Sequence, residues 1–287
     1  MREEDSMETN VVHLPNGPME YVSEGSGPVV LFVHGGNSNC RADFLQADLL
    51  KGGYRVMVPS RPGYGRTPIA LGRTAADQAA ALRALLAALG VPRAAVMGAS
   101  AGGPVALEFA RSFPDVAHCL LLEEAVTKRW VPRYSPQYWA MKWCCHPKRQ
   151  AAFWEGQRKA FERNPHKELR ALAKLFSTRR PAEVLADWDA DDIAYYRRML
   201  ADMDSGDGFV HDMDHAAAQL EDIALPVLIL HSPHDRNVPF DHAVHAHRRI
   251  RESELYEAPA LSHLIYMGRG KSAVVRKRRN FLQQSGW

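Results

Sequence analysis

A serine set among glycines, Gly98-Ala99-Ser100-Ala101-Gly102, is where this 287-residue chain most plainly offers chemistry. The apolar run Ala94-Ala95-Val96-Met97 before it reads as a short strand, and Ala106 to Phe113 after it reads as a helix stopped by Pro114. On so sharp a strand-to-helix turn a serine is held strained with its hydroxyl projecting. The flanking glycines are needed because a Cβ there would clash with neighbouring backbone. The helix start supplies free N–H groups and a positive dipole end, suited to an oxyanion. Pro104 falls in the first turn, where its missing N–H costs nothing.

A neutral serine is a weak nucleophile; it needs a base, and the base needs an acid to orient it. Both residue types occur late in the chain. Pro226-Val227-Leu228-Ile229-Leu230 reads as a strand, and the loop after it, His231 to Pro239, carries Asp235. A further strand, Glu254-Leu255-Tyr256, leads to Ala260-Leu261-Ser262-His263. Nucleophile, acid and base thus come in the order Ser100, Asp235, His263, each just past a strand. Glu123 and Glu124, at the end of the Cys119–Leu122 strand, occupy a second position from which an acid reaches the base.

These residues need a frame. Val29 to Val33 reads as a buried strand ending at His34-Gly35-Gly36, Ala42 to Leu50 as a short helix, and Tyr54 to Val58 as the next strand. The turn-rich loop Ser60 to Thr67 follows. Then comes the clearest helix, with Thr74 as its cap, Leu82, Leu85, Leu86 and Leu89 on one face, and Gly90 and Pro92 as its stop. Near-continuous apolar strands alternating with helices predict a mainly parallel sheet covered on both faces. Ligands of such sheets bind at the carboxyl ends of the strands, where all three candidate residues fall.

Five segments together resemble the α/β-hydrolase superfamily in its serine-nucleophile, esterase-like branch. They are the His34-Gly35-Gly36 loop, the Arg61-Pro62-Gly63-Tyr64-Gly65 loop, the Gly98-to-Gly102 elbow, the Asp235-to-Pro239 loop and Ser262-His263. The resemblance implies Ser100 as nucleophile, Asp235 as acid and His263 as base, with the backbone N–H groups of Gly36 and Ala101 as oxyanion hole. It implies hydrolysis of a small, partly hydrophobic ester with no cofactor and no metal; the same residues acting on amide, lactone or carbon–carbon bonds or in perhydrolysis, or a ligand-binding protein on this fold, stay open. It also implies a core of residues 1–123 and 216–287 interrupted by a helical lid at 124–215. Ser60 departs from the family, which often has Asp there. Trp130, Trp139, Trp143, Trp154 and Trp188 lie in the insertion. They serve either to pack it onto the core or, for the first four, to line an apolar pocket over Ser100.

Other motifs carry less. Gly98-to-Gly103 with Tyr138-Trp139-Ala140-Met141-Lys142 resembles a short-chain dehydrogenase. Pro104 replaces the expected third glycine, however, and the turn follows a late strand instead of the first. His211 and His215, four residues apart, have the spacing of a metal pair but read as a polar face. His242, His245 and His247 read as a surface helix, and Asp187, Asp189, Asp191 and Asp192 as an acidic helix start. Arg276-Lys277-Arg278-Arg279 reads as the wet face of a last helix.

Composition sets the outer limits. With 46% hydrophobic and 24% charged residues, disorder and fibrous repeats are excluded. A net charge of +3 does not suggest a nucleic-acid binder. No apolar run approaches the roughly 18 residues that span a bilayer. The charged start, Met1 to Ser6, lacks a signal-peptide core, and the four irregularly placed cysteines read as reduced thiols, so a cytoplasmic protein is expected. The expected partner is a small-molecule substrate; the oligomeric state stays open.

Overall fold

The computed structural model describes residues 8–216 and 219–287; the charged stretch from Met1 to Ser6 lies outside them. The apolar runs Val29–Val33 and Val227–His231 become strands buried on both faces. The strands are β1 (Asn10–Leu14), β2 (Gly17–Glu24), β3 (Val29–Val33), β4 (Arg55–Pro59), β5 (Ala94–Ala99), β6 (Ala117–Glu123), β7 (Val227–His231) and β8 (Ser253–Glu257). They form one eight-stranded sheet in the order β1-β2-β4-β3-β5-β6-β7-β8. The pairs β1–β2 and β2–β4 are antiparallel, and all pairs from β4 through β3 to β8 are parallel.

Alternation along each central strand feeds two cores. Val29, Leu31 and Val33 of β3 point into one apolar cluster, and Val30 and Phe32 into the other. The first is closed by α2 (Ala75–Ala88), α3 (Gly103–Ser112) and, further along the chain, a helix over Asp241–Arg249. The second takes in α1 (Ala47–Lys51) and a terminal helix over Lys271–Gln284. Thr74 and Asp77 cap α2 reciprocally, satisfying two otherwise orphaned N–H groups.

Between β6 and β7 the chain leaves the sheet. Its described residues there form α4 (Pro136–Cys144), α5 (Gln150–Arg163), α6 (Pro165–Phe176), α7 (Pro181–Asp187), α8 (Ala190–Asp202) and the one-turn α9 (Phe209–Asp212). The chain then completes the core with α10 (Asp241–Arg249) and α11 (Lys271–Gln284). α5, α6, α7 and α8 enclose a small core of their own, around Trp154, Phe161, Leu169, Trp188 and Tyr196. Among the described residues no helix is long and apolar enough to cross a membrane.

Several expectations need correction. The helix predicted from Ala42 begins only at Ala47. Asn39 and Asp43 accept from the N–H groups two residues on, and Leu45 has a φ of +59°, so this stretch is a chain of turns. His242 is buried, not a surface residue; its Nδ1 accepts from the Thr127 N–H at 3.1 Å. Arg278 is also buried, not part of a wet face. It meets Glu123 at 3.0 Å through both Nε and Nη2 and donates to the Phe44 carbonyl.

The tie between the helical segment and the core is a buried ion pair. Arg61 meets Asp212 of α9 at 2.8 and 2.5 Å, and the Tyr64 hydroxyl donates to the same carboxylate at 2.5 Å. Arg61 also donates to the carbonyls of His34 and Gly35, so the pair braces the loop after β3. Burial alone would raise the Asp212 pKa, but the Arg61 charge and hydrogen bonds override it and hold the carboxylate ionised. Removing one partner strands the other charge in the interior. Asp212→Asn is therefore expected to destabilise the fold by about 3–5 kcal/mol. In a thermal melt this reads as a fall of roughly 10 °C; an unchanged melt would mean the pair is not structural.

Candidate active site

Ser100 stands at the β5–α3 turn with φ +47°, a conformation a serine adopts only when its surroundings hold it there. Those surroundings are tight. A Cβ on Gly98 would come within 2.4 Å of the Ala106 Cβ, and one on Gly102 within 2.4 Å of the Val33 carbonyl oxygen. The glycines thus let α3 and the end of β3 close on the turn. For Gly98 the obstacle is a side chain of α3, not backbone.

The loops after β7 and β8 bring up the other two residues. His263 Nε2 lies 3.0 Å from Ser100 Oγ, and His263 Nδ1 lies 2.6 Å from Asp235 Oδ2. Asp235 Oδ1 accepts from the N–H groups of Asn237 and Val238 at 2.7 and 2.9 Å. Burial opposes ionisation of Asp235. The charge of His263, its hydrogen bond and the polar groups of Glu124 and His231 close by outweigh it and hold the carboxyl far below its ordinary range. An ionised carboxylate only accepts, so Nδ1 of His263 carries a hydrogen, and in the neutral form of the ring this leaves Nε2 free to accept from Ser100.

Gly35 and Gly36 lie against the serine turn. A Cβ on Gly35 would stand 3.1 Å from the Ser100 Cβ, and one on Gly36 would stand 3.5 Å from the Ala101 Cβ. Gly36 is further pressed by the Phe209 ring, which such a Cβ would approach to 2.7 Å. Gly36 and Ala101 are therefore close neighbours at the serine turn.

Glu124 completes the cluster. It sits at φ +48° just past β6; its Oε1 accepts from the Ser232 N–H at 2.7 Å. Its Oε2 is buried without a hydrogen-bond partner by distance and angle among the described residues. That oxygen lies 3.2 Å from His231 Nε2 and 3.9 Å from His263 Nδ1. Burial and the neighbouring Asp235 carboxylate push the Glu124 pKa well above the ordinary carboxyl range. Donor atoms of Glu124, Asp235 and His263 all lie within 4.8 Å of one another; Asp235 and His263 bond each other, and Glu124 and Asp235 accept from loop N–H groups.

The helical segment reaches this cluster at residues 176–178. The Phe176 carbonyl accepts from the His263 N–H at 2.9 Å, and its ring stacks on the imidazole at 5.5 Å. The Ser177 carbonyl accepts from Arg236 Nε at 2.7 Å, Ser177 Oγ donates to the Leu261 carbonyl, and Thr178 N–H donates to the His234 carbonyl. One short stretch thus fastens both the Asp235 loop and the His263 loop. The sequence offers no signal for this, because Phe176-Ser177-Thr178 is an ordinary helix end until folded.

The tryptophans divide. Trp154 is buried and donates to Ser205 Oγ, which donates to Asn37 next to Gly36. Trp130 donates to the Asn237 carbonyl and packs edge-on against Phe209. Trp139 and Trp143 are 63% and 61% exposed, which does not fit their expected place in a closed pocket. Tyr138 and Lys142 both bind Asp214, each at 2.8 Å, and so pin α4 in place of serving a nicotinamide. His215 is buried against the Arg73 carbonyl at 2.9 Å and does not join His211 in a three-ligand cluster among the described residues.

Two buried histidines make stability pH-dependent. Burial, reinforced by Arg61, lowers His34 to about 3, and burial lowers His242 to about 4, from an ordinary 6.5. Below pH 6.5 the unfolded chain therefore binds protons that the folded chain refuses, and stability falls with pH. Glu124 acts oppositely, since its raised pKa gives stability that is lost as pH rises above 4.5. His211 and His245 are lowered by burial too, so the histidines outweigh Glu124 and the fold loses roughly 1 kcal/mol or more per pH unit on acidification below pH 6. Melting temperatures measured from pH 7.5 down to 5 should fall; a flat or rising profile would contradict the buried neutral histidines.

An eight-stranded sheet in this order, with a serine elbow after β5 and an acid and a histidine after β7 and β8, defines the class of α/β hydrolases. The chain belongs to the family described as alpha/beta hydrolase fold, which it matches over residues 28–269. The uncharacterized hydrolase YcgS of Bacillus subtilis is 34% identical over 257 residues, covering 88% of this chain and 90% of its own. A 2-hydroxy-6-oxo-6-phenylhexa-2,4-dienoate hydrolase of Comamonas testosteroni is 30% identical over 103 residues, 34% of this chain and 36% of that one. Among solved structures, an alpha/beta hydrolase fold protein from Nakamurella multipartita superposes with a TM-score of 0.83 at 26% identity. That match covers 98% of this chain and 100% of the other.

Proposed function

We propose that this protein is a serine hydrolase that cleaves a small, partly hydrophobic carboxylic ester through an acyl-enzyme. The observation that carries the reading is the continuous chain from Ser100 Oγ through His263 to Asp235, at 3.0 and 2.6 Å. In the first step His263 Nε2 takes the Ser100 proton as Oγ attacks the acyl carbonyl. Asp235 holds the tautomer and stabilises the imidazolium. The N–H groups of Gly36 and Ala101 receive the oxyanion; one such donor is typically worth about 10²–10³ in rate. The imidazolium then protonates the leaving alcohol. Water, deprotonated by His263, cleaves the acyl-enzyme and restores Ser100.

In this reading the helices between β6 and β7 act as a lid. Phe176 stacked on His263 and Phe209 pressed on Gly36 support it, since both put apolar surface beside the reacting atoms. The reaction needs no cofactor or metal. Four free cysteines fit a reducing, cytoplasmic setting.

A second reading, hydrolysis of an activated carbon–carbon bond by the same three residues, draws support from the Comamonas testosteroni relative's name. The same apparatus also serves amides, lactones or perhydrolysis, and fold alone does not choose among them. A series of p-nitrophenyl esters of rising acyl length, run beside a 2-hydroxy-6-oxo-dienoate, separates the two main readings. The ester reading expects turnover that peaks at short acyl chains. Inactivity on every ester with turnover of the dienoate would replace it by the second.

A further inference from the structure

Three of the five large hydrophobic residues that are strongly exposed among the described residues fall within ten positions of one another: Tyr134 at 90%, Trp139 at 63% and Trp143 at 61%. Trp139 and Trp143 are one turn apart and so share a face of α4. The helix's other side is committed: Tyr138 and Met141 pack with Tyr64 and Phe209 beneath it. Packing and the ties from Tyr138 and Lys142 to Asp214 thus fix α4 in a pose that turns its two indoles outward.

The same stretch is charged in one sense. Residues 128–149 contain six Lys or Arg and no Asp or Glu. Asp214 and Asp241 from elsewhere take up Arg133, Lys142 and Lys128. Arg129 and Lys148 are exposed with no carboxylate within 4.0 Å among the described residues, and so is Arg149, whose guanidinium lies 4.7 Å from the Trp143 ring centroid.

We infer that this face of α4, with its flanking loops, docks on an anionic lipid surface. Tryptophans beside Lys and Arg on one exposed face are the composition of a segment lying in a headgroup layer. The indoles enter the acyl boundary while the cations meet lipid phosphates. A second copy of the chain fits worse. A twofold contact sets a patch against itself, and here that would oppose cation to cation with the nearby acids already engaged. A nucleic acid fits worse as well, because three free cations are few for tracking a phosphate backbone. The inference does not depend on which bond the active site cleaves.

The test is flotation of the full-length protein with vesicles of phosphatidylcholine alone and of a three-to-one mixture with phosphatidylglycerol. Indole fluorescence is recorded alongside. The wild type should float with the mixed vesicles, shift its emission to the blue and be released by raised salt. W139A/W143A should lose the blue shift and bind at least about tenfold more weakly. R129E/K148E/R149E should lose the preference for phosphatidylglycerol, each reversed cation costing about fivefold or more. Melting curves matching wild type show that both variants fold, as expected for exposed positions. No flotation of the wild type, or equal flotation of both variants, overturns the inference. So does a dimer in sedimentation that W139A/W143A abolishes without any vesicle binding, or retention by single-stranded oligonucleotide in preference to the mixed vesicles.

Discussion

Ser100→Ala is expected to lower kcat on any substrate the enzyme accepts by on the order of a million-fold, with the fold intact. The size follows from the arrangement. Without Oγ there is nothing 3.0 Å from His263 Nε2 to become the nucleophile, and the histidine and oxyanion groups have no covalent intermediate to serve. Residual rate would come from water attacking a bound substrate next to the Gly36 and Ala101 N–H groups. Alanine meets the same strained φ of +47° that serine does, so the melting temperature should move little. A paired measurement of turnover and melting separates loss of the nucleophile from loss of structure. A fall of less than about a hundredfold would show that the chemistry lies elsewhere.

Asp235→Asn should cost about 10⁴ in kcat, because the amide can donate to Nδ1 and so favours the wrong imidazole tautomer. Here the loss has a second determinant. Burial and the charge of Asp235 push the Glu124 pKa up. Neutralising Asp235 removes that charge and lets Glu124 ionise more easily, with its Oε2 already 3.9 Å from His263 Nδ1. The single variant should therefore regain rate as pH rises, and adding Glu124→Gln should abolish that rise. Glu124→Gln alone should cost no more than about threefold, since the amide oxygen can still accept from the Ser232 N–H. If the single and double variants share one flat pH profile, Glu124 takes no part in the proton arrangement.

How much of this was legible in the sequence depended on how local each feature is. The elbow, the parallel strands and the capping of α2 are written in neighbouring residues, where period and turn chemistry act directly. The order Ser100, Asp235, His263 was legible because each follows a strand; their meeting then follows from the sheet bringing strand ends together. What escaped is non-local. Arg61 finds Asp212 across 151 positions, and Arg278 finds Glu123 across 155; in each case a long side chain that looks solvated is drawn inside by a buried carboxylate. The β1–β2 hairpin escaped because β1 is an edge strand with four of its five residues incompletely buried, so its apolar signal is weak. Aromatic content marked the helical segment but not direction: Trp154 turned in and Trp139 and Trp143 turned out. Composition alone does not carry that sign.

Covalent capture of the serine tests the central claim most directly. The protein is treated with a fluorophosphonate, and the adduct is located by mass spectrometry of its peptides, with the labelling rate compared between wild type and His263→Ala. A single phosphonyl group on Ser100, formed orders of magnitude more slowly in the variant, is the predicted result. An adduct on another residue, or labelling of Ser100 at the same rate without His263, would contradict it.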